Sequence, residues 1–206
     1  MIRLDIDAWN KKLKDRTPHE IAEWALRLSD NKIVTTSFGV YSSVLLSTMS
    51  QLDKDIRVVW CDTLYNQPST YEHASNLIET YNLNINKYQP LISKETIDKT
   101  IGLPSVENDN HDKFSEVVKL EPFRRALKEQ DPEVWFTNIR VRQTEYRDKK
   151  DILSYSKDGI LKVSPFYYWS DKDLDAYLEA NQLPKNSDYF DPVKALLSRE
   201  CGIHFQ

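Results

Sequence analysis

The sequence predicts an α/β protein built on a doubly wound, mainly parallel sheet. From Lys32 onward, short apolar runs alternate with stretches of helical periodicity, the order expected when helices cover both faces of a parallel sheet. The chain has 206 residues, 40% of them hydrophobic and 11% aromatic. That is enough for one well-packed core and unlike the composition of disordered chains.

The elements follow in order. Thr17-Pro18-His19-Glu20 is a helix start: Thr17 caps, Pro18 suits the first turn, and Glu20 completes a capping box. Ile21, Trp24, Ala25 and Leu28 then recur at helical spacing and give that helix one packing face. Ile33–Thr36 is the first strand, followed by Ser37-Phe38-Gly39 and a helix carrying Val44, Leu45 and Met49. Ile56–Cys61 is the second strand, closed by Asp62-Thr63. A helix over Ser69–Tyr81 leads to a third strand at Asn84–Tyr88. After a polar stretch, Ser93–Glu116, come the helix Leu120–Gln130 and a fourth strand, Val134–Ile139. Ile160–Trp169 reads as a strand and turn, Ser170 opens a helix running to Gln182, and Pro192–Arg199 is a short helical segment before the tail.

Composition excludes several classes. The net charge is −4, and the chain has a pI near 5.6, which argues against a general nucleic-acid binder. No apolar run approaches the roughly 20 residues a membrane helix needs, and the N-terminus lacks a signal-peptide core. A soluble, cytoplasmic protein is expected. Cys61 and Cys201 are the two cysteines, too few for an iron–sulfur cluster or a four-thiolate zinc site. There is no CxxC or HExxH, and His19, His73, His111 and His204 are scattered.

Ligands of open parallel sheets bind beyond the carboxyl ends of the strands, which directs attention to three loops: Ser37-Phe38-Gly39, Asp62-Thr63-Leu64-Tyr65 and Asn138-Ile139-Arg140. Ser37-Phe38-Gly39 joins a strand to a helix through a small polar residue and a glycine, a geometry that aims backbone N–H groups at an anion; a plain turn has the same signature. Arg140–Lys150 carries Arg140, Arg142, Arg147, Lys149 and Lys150 against Glu145 and Asp148. It is either a solvated basic loop or an anion site, and its place after an apolar strand favours the latter. Cys61 ends an apolar strand and reads as a small buried hydrophobe. Cys201 lies near the chain end before a glycine, with Arg199 and His204 close by to favour a thiolate and Glu200 to oppose it; an inert tail thiol is the other reading.

Five blocks taken together resemble the phosphoadenylyl-sulfate (PAPS) reductases. They are Ser37-Phe38-Gly39, Asp62-Thr63-x-Tyr65-x-x-Pro68-x-Thr70-Tyr71, Lys119-x-Glu121-Pro122, Arg140-x-x-Gln143-Thr144-x-x-Arg147, and Arg199-Glu200-Cys201-Gly202-Ile203-His204. The resemblance runs from about Asn31 to His204. Asn138, Val141, Arg142 and Thr144 depart from the family's usual glycine, arginine, glutamate and serine, and the segment between Pro184 and Arg199 is shorter than usual.

The resemblance implies an adenine nucleotide α-hydrolase-like fold, related to the PP-loop enzymes. It divides the chain into an N-terminal helical segment (1–30), a nucleotide-binding α/β domain (31–190) and a tail carrying the catalytic cysteine (191–206). It implies a role in sulfate assimilation: reduction of PAPS to sulfite and adenosine 3′,5′-bisphosphate through a sulfonated Cys201. Reduced thioredoxin or glutaredoxin would serve as electron donor, with no bound cofactor, no iron–sulfur cluster and no metal. The absence of the two cysteine pairs found in cluster-bearing, APS-reducing relatives favours PAPS over APS. By the same resemblance Ser37, Phe38 and Gly39 would line a substrate phosphate or sulfate, and Asp62 and Thr63 the nucleoside. Lys119, Arg140, Arg147 and Arg199 would neutralise the phosphosulfate, with Gln143 and His204 as polar substrate contacts. A homodimer with no nucleic-acid or membrane partner is expected.

Two other functions compete. An ATP pyrophosphatase-like adenylating enzyme would carry Ser-Gly-Gly-x-Asp-Ser, with glycine where Phe38 stands and aspartate where Tyr41 stands. A non-catalytic adenine-nucleotide-binding protein would not need the Cys201 tail.

Overall fold

The computed structural model describes residues 2–104, 110–191 and 193. Strands β1 (Lys32–Thr36), β2 (Arg57–Cys61), β3 (Asn84–Tyr88), β4 (Val134–Phe136), β5 (Leu153–Tyr155) and β6 (Leu161–Val163) form one sheet in the order β3-β2-β1-β4-β6-β5. All pairings are parallel except β5 with β6. The expected doubly wound sheet is therefore present, with one antiparallel edge.

Successive strand residues face opposite sides, and the apolar runs use both. Val34, Val58, Phe136 and Val163 join one core cluster, whereas Ile33, Val59 and Trp135 join another. Helices α2 (Pro18–Leu26), α3 (Ser42–Leu52), α4 (Pro68–Tyr81) and α9 (Asp171–Ala180) cover the first face. Helix α7 (Glu121–Gln130) covers the second with Phe123, Ala126 and Leu127. Thr17 and Glu20 form the capping box that starts α2.

The N-terminal segment shares the main core through Leu13, Ile21, Ala22, Ala25 and Leu26. Its first helix, α1 (Ile6–Leu13), is absent from the sequence reading because polar residues dominate it. The buried Asn10 amide holds it to the sheet edge, donating to the Leu153 carbonyl at 3.1 Å and accepting from the Leu153 N–H at 2.8 Å. One side chain thus replaces a backbone neighbour for β5.

Other boundaries shift. The polar stretch 93–116 contains α5 (Lys94–Thr100) and α6 (His111–Ser115), and a four-residue helix α8 (Glu145–Asp148) lies in the basic segment. Strand β4 stops at Phe136 because the chain then turns across the sheet end. The helical segment expected at 192–199 lies outside the described residues, as do Arg199, Cys201 and His204. Among the described residues, no helix is long and apolar enough to cross a membrane.

Candidate active site

Strand β1 has β2 on one side and β4 on the other, so the crossovers diverge there and leave a crevice at the carboxyl ends. A cleft of about 430 Å³ occupies that position. Three structures build its walls.

The first is the β1–α3 turn. Phe38 sits in the left-handed region at φ 50°, a conformation unfavourable for a bulky residue. Thr36 Oγ1 accepts from its N–H at 2.9 Å, and Asn186 Nδ2 donates to its carbonyl at 2.9 Å. Its ring is fully buried, edge-on to Trp60 at 4.9 Å. Ser37 and Gly39 consequently face the cleft, while Phe38 anchors the turn from below. Phe38, expected beside a substrate phosphate or sulfate, thus turns its ring away from the cleft. Gly39 is needed for close approach: a Cβ there would meet the Tyr189 ring at 3.3 Å. No side chain caps α3, so its N-terminal dipole is directed into the same space.

The second wall is the loop after β4. Gln143 Oε1 accepts from the Arg140 N–H at 2.8 Å and also from the Arg147 guanidinium, which sets both arginines at the cleft. Arg140 pairs with Asp171 at 2.7 Å, and its guanidinium carbon lies 5.1 Å from the Tyr41 ring centroid. Arg142 is exposed.

The third is a helical run interrupted by Pro122. Proline has no N–H to give and its ring crowds the preceding turn. A π-helical turn, Glu116–Leu120, precedes it, and the Glu121 N–H bonds the Glu116 carbonyl, five residues back. The wider turn buries Lys119 at the cleft, where its ammonium meets Asp191 at 2.6 Å. The Lys-x-Glu-Pro block thus has a mechanical basis: the proline makes the bulge that holds the lysine in place.

Asp62 and Thr63, expected at the nucleoside, do not line this cleft. Asp62 is only 1% exposed and its carboxylate is fully engaged. It accepts from the Leu64 N–H, Asn66, Tyr71 and Gln89, and pairs with Lys87 at 2.9 Å. Burial works against its charge, but these bonds prevail and hold the carboxyl below its usual range. Thr63 accepts from the Tyr65 N–H at 3.3 Å. Both brace the end of β2. Cys61, expected in the core, instead borders the cleft and is half-buried.

Cleft residues that the sequence did not single out include Tyr41, Asp171, Tyr189 and Asp191. Asn138, in the Asn138-Ile139-Arg140 loop at a strand end, lines the cleft as well. The two aspartates lie far along the chain from the cations they meet, and no local pattern marks them. Among the described residues, no group of three His, Cys, Asp or Glu side chains is placed to hold a metal ion.

Lys119, Arg140 and Arg147 thus converge with an uncapped helix start on a cleft whose apolar lining comes from both sides of the sheet, Leu45 and Leu46 from one and Val59 and Phe123 from the other. Cations suit phosphate or sulfate groups, and an apolar wall suits a nucleobase. Fold and site together define a doubly wound α/β protein equipped for a nucleotide-sized anion.

Residues 31–193 match the phosphoadenosine phosphosulfate reductase domain, and the chain belongs to that family. It is 36% identical to phosphoadenosine 5′-phosphosulfate reductase of Xanthomonas axonopodis pv. citri, over 97% of this chain and 92% of the relative. It is 33% identical to the Synechococcus protein of the same name, over 85% and 76% respectively. A crystal structure of PAPS reductase from Candida auris, in a phosphate complex, superposes with a TM-score of 0.77 at 29% identity, covering 90% of this chain and 91% of that one. Candida glabrata FMN adenylyltransferase shares the fold alone, with a TM-score of 0.55 at 11% identity over 86% of this chain and 60% of that one.

Proposed function

We propose that the chain reduces PAPS to sulfite and adenosine 3′,5′-bisphosphate, using a dithiol protein of the thioredoxin or glutaredoxin type. The observation that carries this reading is the convergence of Lys119, Arg140 and Arg147 beside the Ser37–Gly39 turn, in a chain of this family. The cations neutralise the phosphosulfate and make the nucleotide phosphate a better leaving group.

In this reading the Cys201 thiolate attacks the sulfonate sulfur. An S–S bond forms, the bond from sulfur to the bridging phosphate oxygen breaks, and adenosine 3′,5′-bisphosphate departs. A donor thiolate then attacks the Cys201 sulfur and releases sulfite; the donor's second thiol closes a disulfide and restores Cys201. Sulfur gains two electrons and two donor thiols lose them. The chain needs no resident cofactor for this route. Arg199 and His204 complete the charge around the sulfonate, and a cytoplasmic homodimer, with 191–206 acting as the catalytic tail, belongs to the same reading.

Sulfite release with reduced thioredoxin, measured with PAPS and with APS, tests it. PAPS is the expected substrate, and Cys201→Ser is expected to release no sulfite while still binding nucleotide. Wild-type turnover by that variant ends the mechanism.

A further inference from the structure

A buried polar pair stands beside the anion site, and packing alone does not require it. Ser42, the first residue of α3, borders the cleft. Its Oγ lies 3.1 Å from Nε2 of His73 on α4, and both residues are buried. The Ser42 N–H is committed to the Gly39 carbonyl, and the neighbouring Ser43 hydroxyl to the Pro184 carbonyl at 2.6 Å. The Ser42 hydroxyl is therefore the side-chain group of this turn of α3 that remains to meet a ligand.

What that hydroxyl offers depends on the imidazole. A hydroxyl has one hydrogen to donate and two lone pairs. When Nε2 lacks a hydrogen, Ser42 donates to it and presents only lone pairs to the cleft, which repel an anion. When Nε2 carries the hydrogen, Ser42 accepts from His73, and its own hydrogen is released toward the cleft. Burial disfavours the charged imidazolium and lowers the His73 pKa, so in the empty cleft the two neutral tautomers compete.

We propose that His73 is a positioning residue: by donating from Nε2 to Ser42, it turns the Ser42 hydroxyl into a donor to a phosphate oxygen of the bound nucleotide. The anion selects the Nε2–H form, and the pair adds a hydrogen bond next to the Ser37–Gly39 turn. This inference rests on the proposed nucleotide substrate.

A double-mutant cycle tests it, with adenosine 3′,5′-bisphosphate as the probe and calorimetric Kd as the readout. Ser42→Ala is expected to weaken binding about 10-fold, the loss of one hydrogen bond to a charged group, and His73→Leu by about fivefold, because the hydroxyl remains but nothing holds its hydrogen toward the phosphate. Because His73 acts through Ser42, the double variant is expected to lose no more than Ser42→Ala alone. His73→Gln, whose amide can donate in place of Nε2–H, is expected to restore affinity to within about threefold of wild type. Thermal unfolding accompanies each Kd, and His73→Phe replaces His73→Leu should the latter not fold. Unchanged affinity in the apolar His73 variant, or losses that multiply in the double variant, overturns the proposal. Wild-type protein that does not bind the probe overturns it together with the nucleotide reading. Wild-type protein that binds the probe but releases no sulfite removes the reductase reading alone, and the cycle still decides the role of His73.

Discussion

The Lys119 ammonium lies 2.6 Å from the Asp191 carboxylate, and the two side chains are only 6% and 7% exposed. Asp191 thus occupies the position a substrate anion would need to approach this lysine, so binding must reorganise or share the pair. Breaking a buried ion pair by removing one charge costs about 3–5 kcal/mol. Asp191→Asn is expected to destabilise the empty protein by that order, lowering its melting temperature by roughly 6–20 °C, and to enlarge the stabilisation produced by added phosphate. Differential scanning fluorimetry across a phosphate titration measures both. An unchanged phosphate response would show that Asp191 does not compete for Lys119.

A second prediction concerns Gln143, whose Oε1 is shared between the Arg140 backbone and the Arg147 guanidinium. If Arg147 contacts the 3′-phosphate, Arg147→Ala is expected to lower kcat/KM for PAPS about 10–150-fold, the value of one charge-assisted hydrogen bond. APS, lacking that phosphate, is expected to lose much less. Gln143→Leu should reproduce the PAPS-selective loss at smaller magnitude, because the guanidinium remains but is no longer held. Equal losses with both substrates would place Arg147 on the phosphosulfate instead.

Much of this site was legible in the sequence. The apolar runs located strand ends, and the cleft forms at two of them: Ser37 and Gly39 follow β1, and Arg140 follows β4. Lys119 entered only through the resemblance of its Lys-x-Glu-Pro block; the π-turn before Pro122 that buries it was not legible. What remained hidden was partnership across the chain. Nothing near Asp62 announces that Lys87, Tyr71 and Gln89 will consume its lone pairs, and a carboxylate at a strand end looks the same whether it binds a ligand or braces a loop. The direction of the Phe38 ring was hidden for a related reason: the turn motif fixes where its backbone lies, whereas the ring's direction depends on Trp60 and on the hydrogen bond from Asn186. Helix α1 escaped notice because polar residues dominate it, and Asn10, which ties it to β5, looks like any surface amide in the sequence.

Asp62 supplies a pH prediction. Its native pKa lies below the ordinary 3.8, so the folded protein binds this proton less readily than the unfolded chain. The stability it contributes is complete above the unfolded value and is lost as pH falls through the lower, folded value. Asp62→Asn is expected to cost about 2–3 kcal/mol at pH 7, since hydrogen bonds to a charged acceptor are replaced by weaker ones. The difference from wild type should shrink below about pH 4. Urea unfolding from pH 7 to pH 3 tests this; a constant difference would mean that Asp62 has the same pKa in the folded and unfolded chains.

The last prediction uses Cys61, which borders the cleft rather than the core. It ends β2, one strand away from the divergence point, on the same wall as Val59 and Phe123. A ligand filling the cleft would stand between this thiol and solvent. In a Cys201→Ser background, which leaves one thiol, alkylation of Cys61 is therefore expected to slow at least several-fold with saturating adenosine 3′,5′-bisphosphate. Inorganic phosphate, held by the cations and the start of α3, should protect less, because it leaves the apolar wall uncovered. Cys61→Ser is expected to cost about 1 kcal/mol of stability or less, since a half-buried hydroxyl keeps access to water. Labelling followed by mass spectrometry measures the rates. Equal rates with and without the nucleotide would mean that the base lies elsewhere, and that the apolar lining from Leu45, Leu46, Val59 and Phe123 is not the nucleoside pocket.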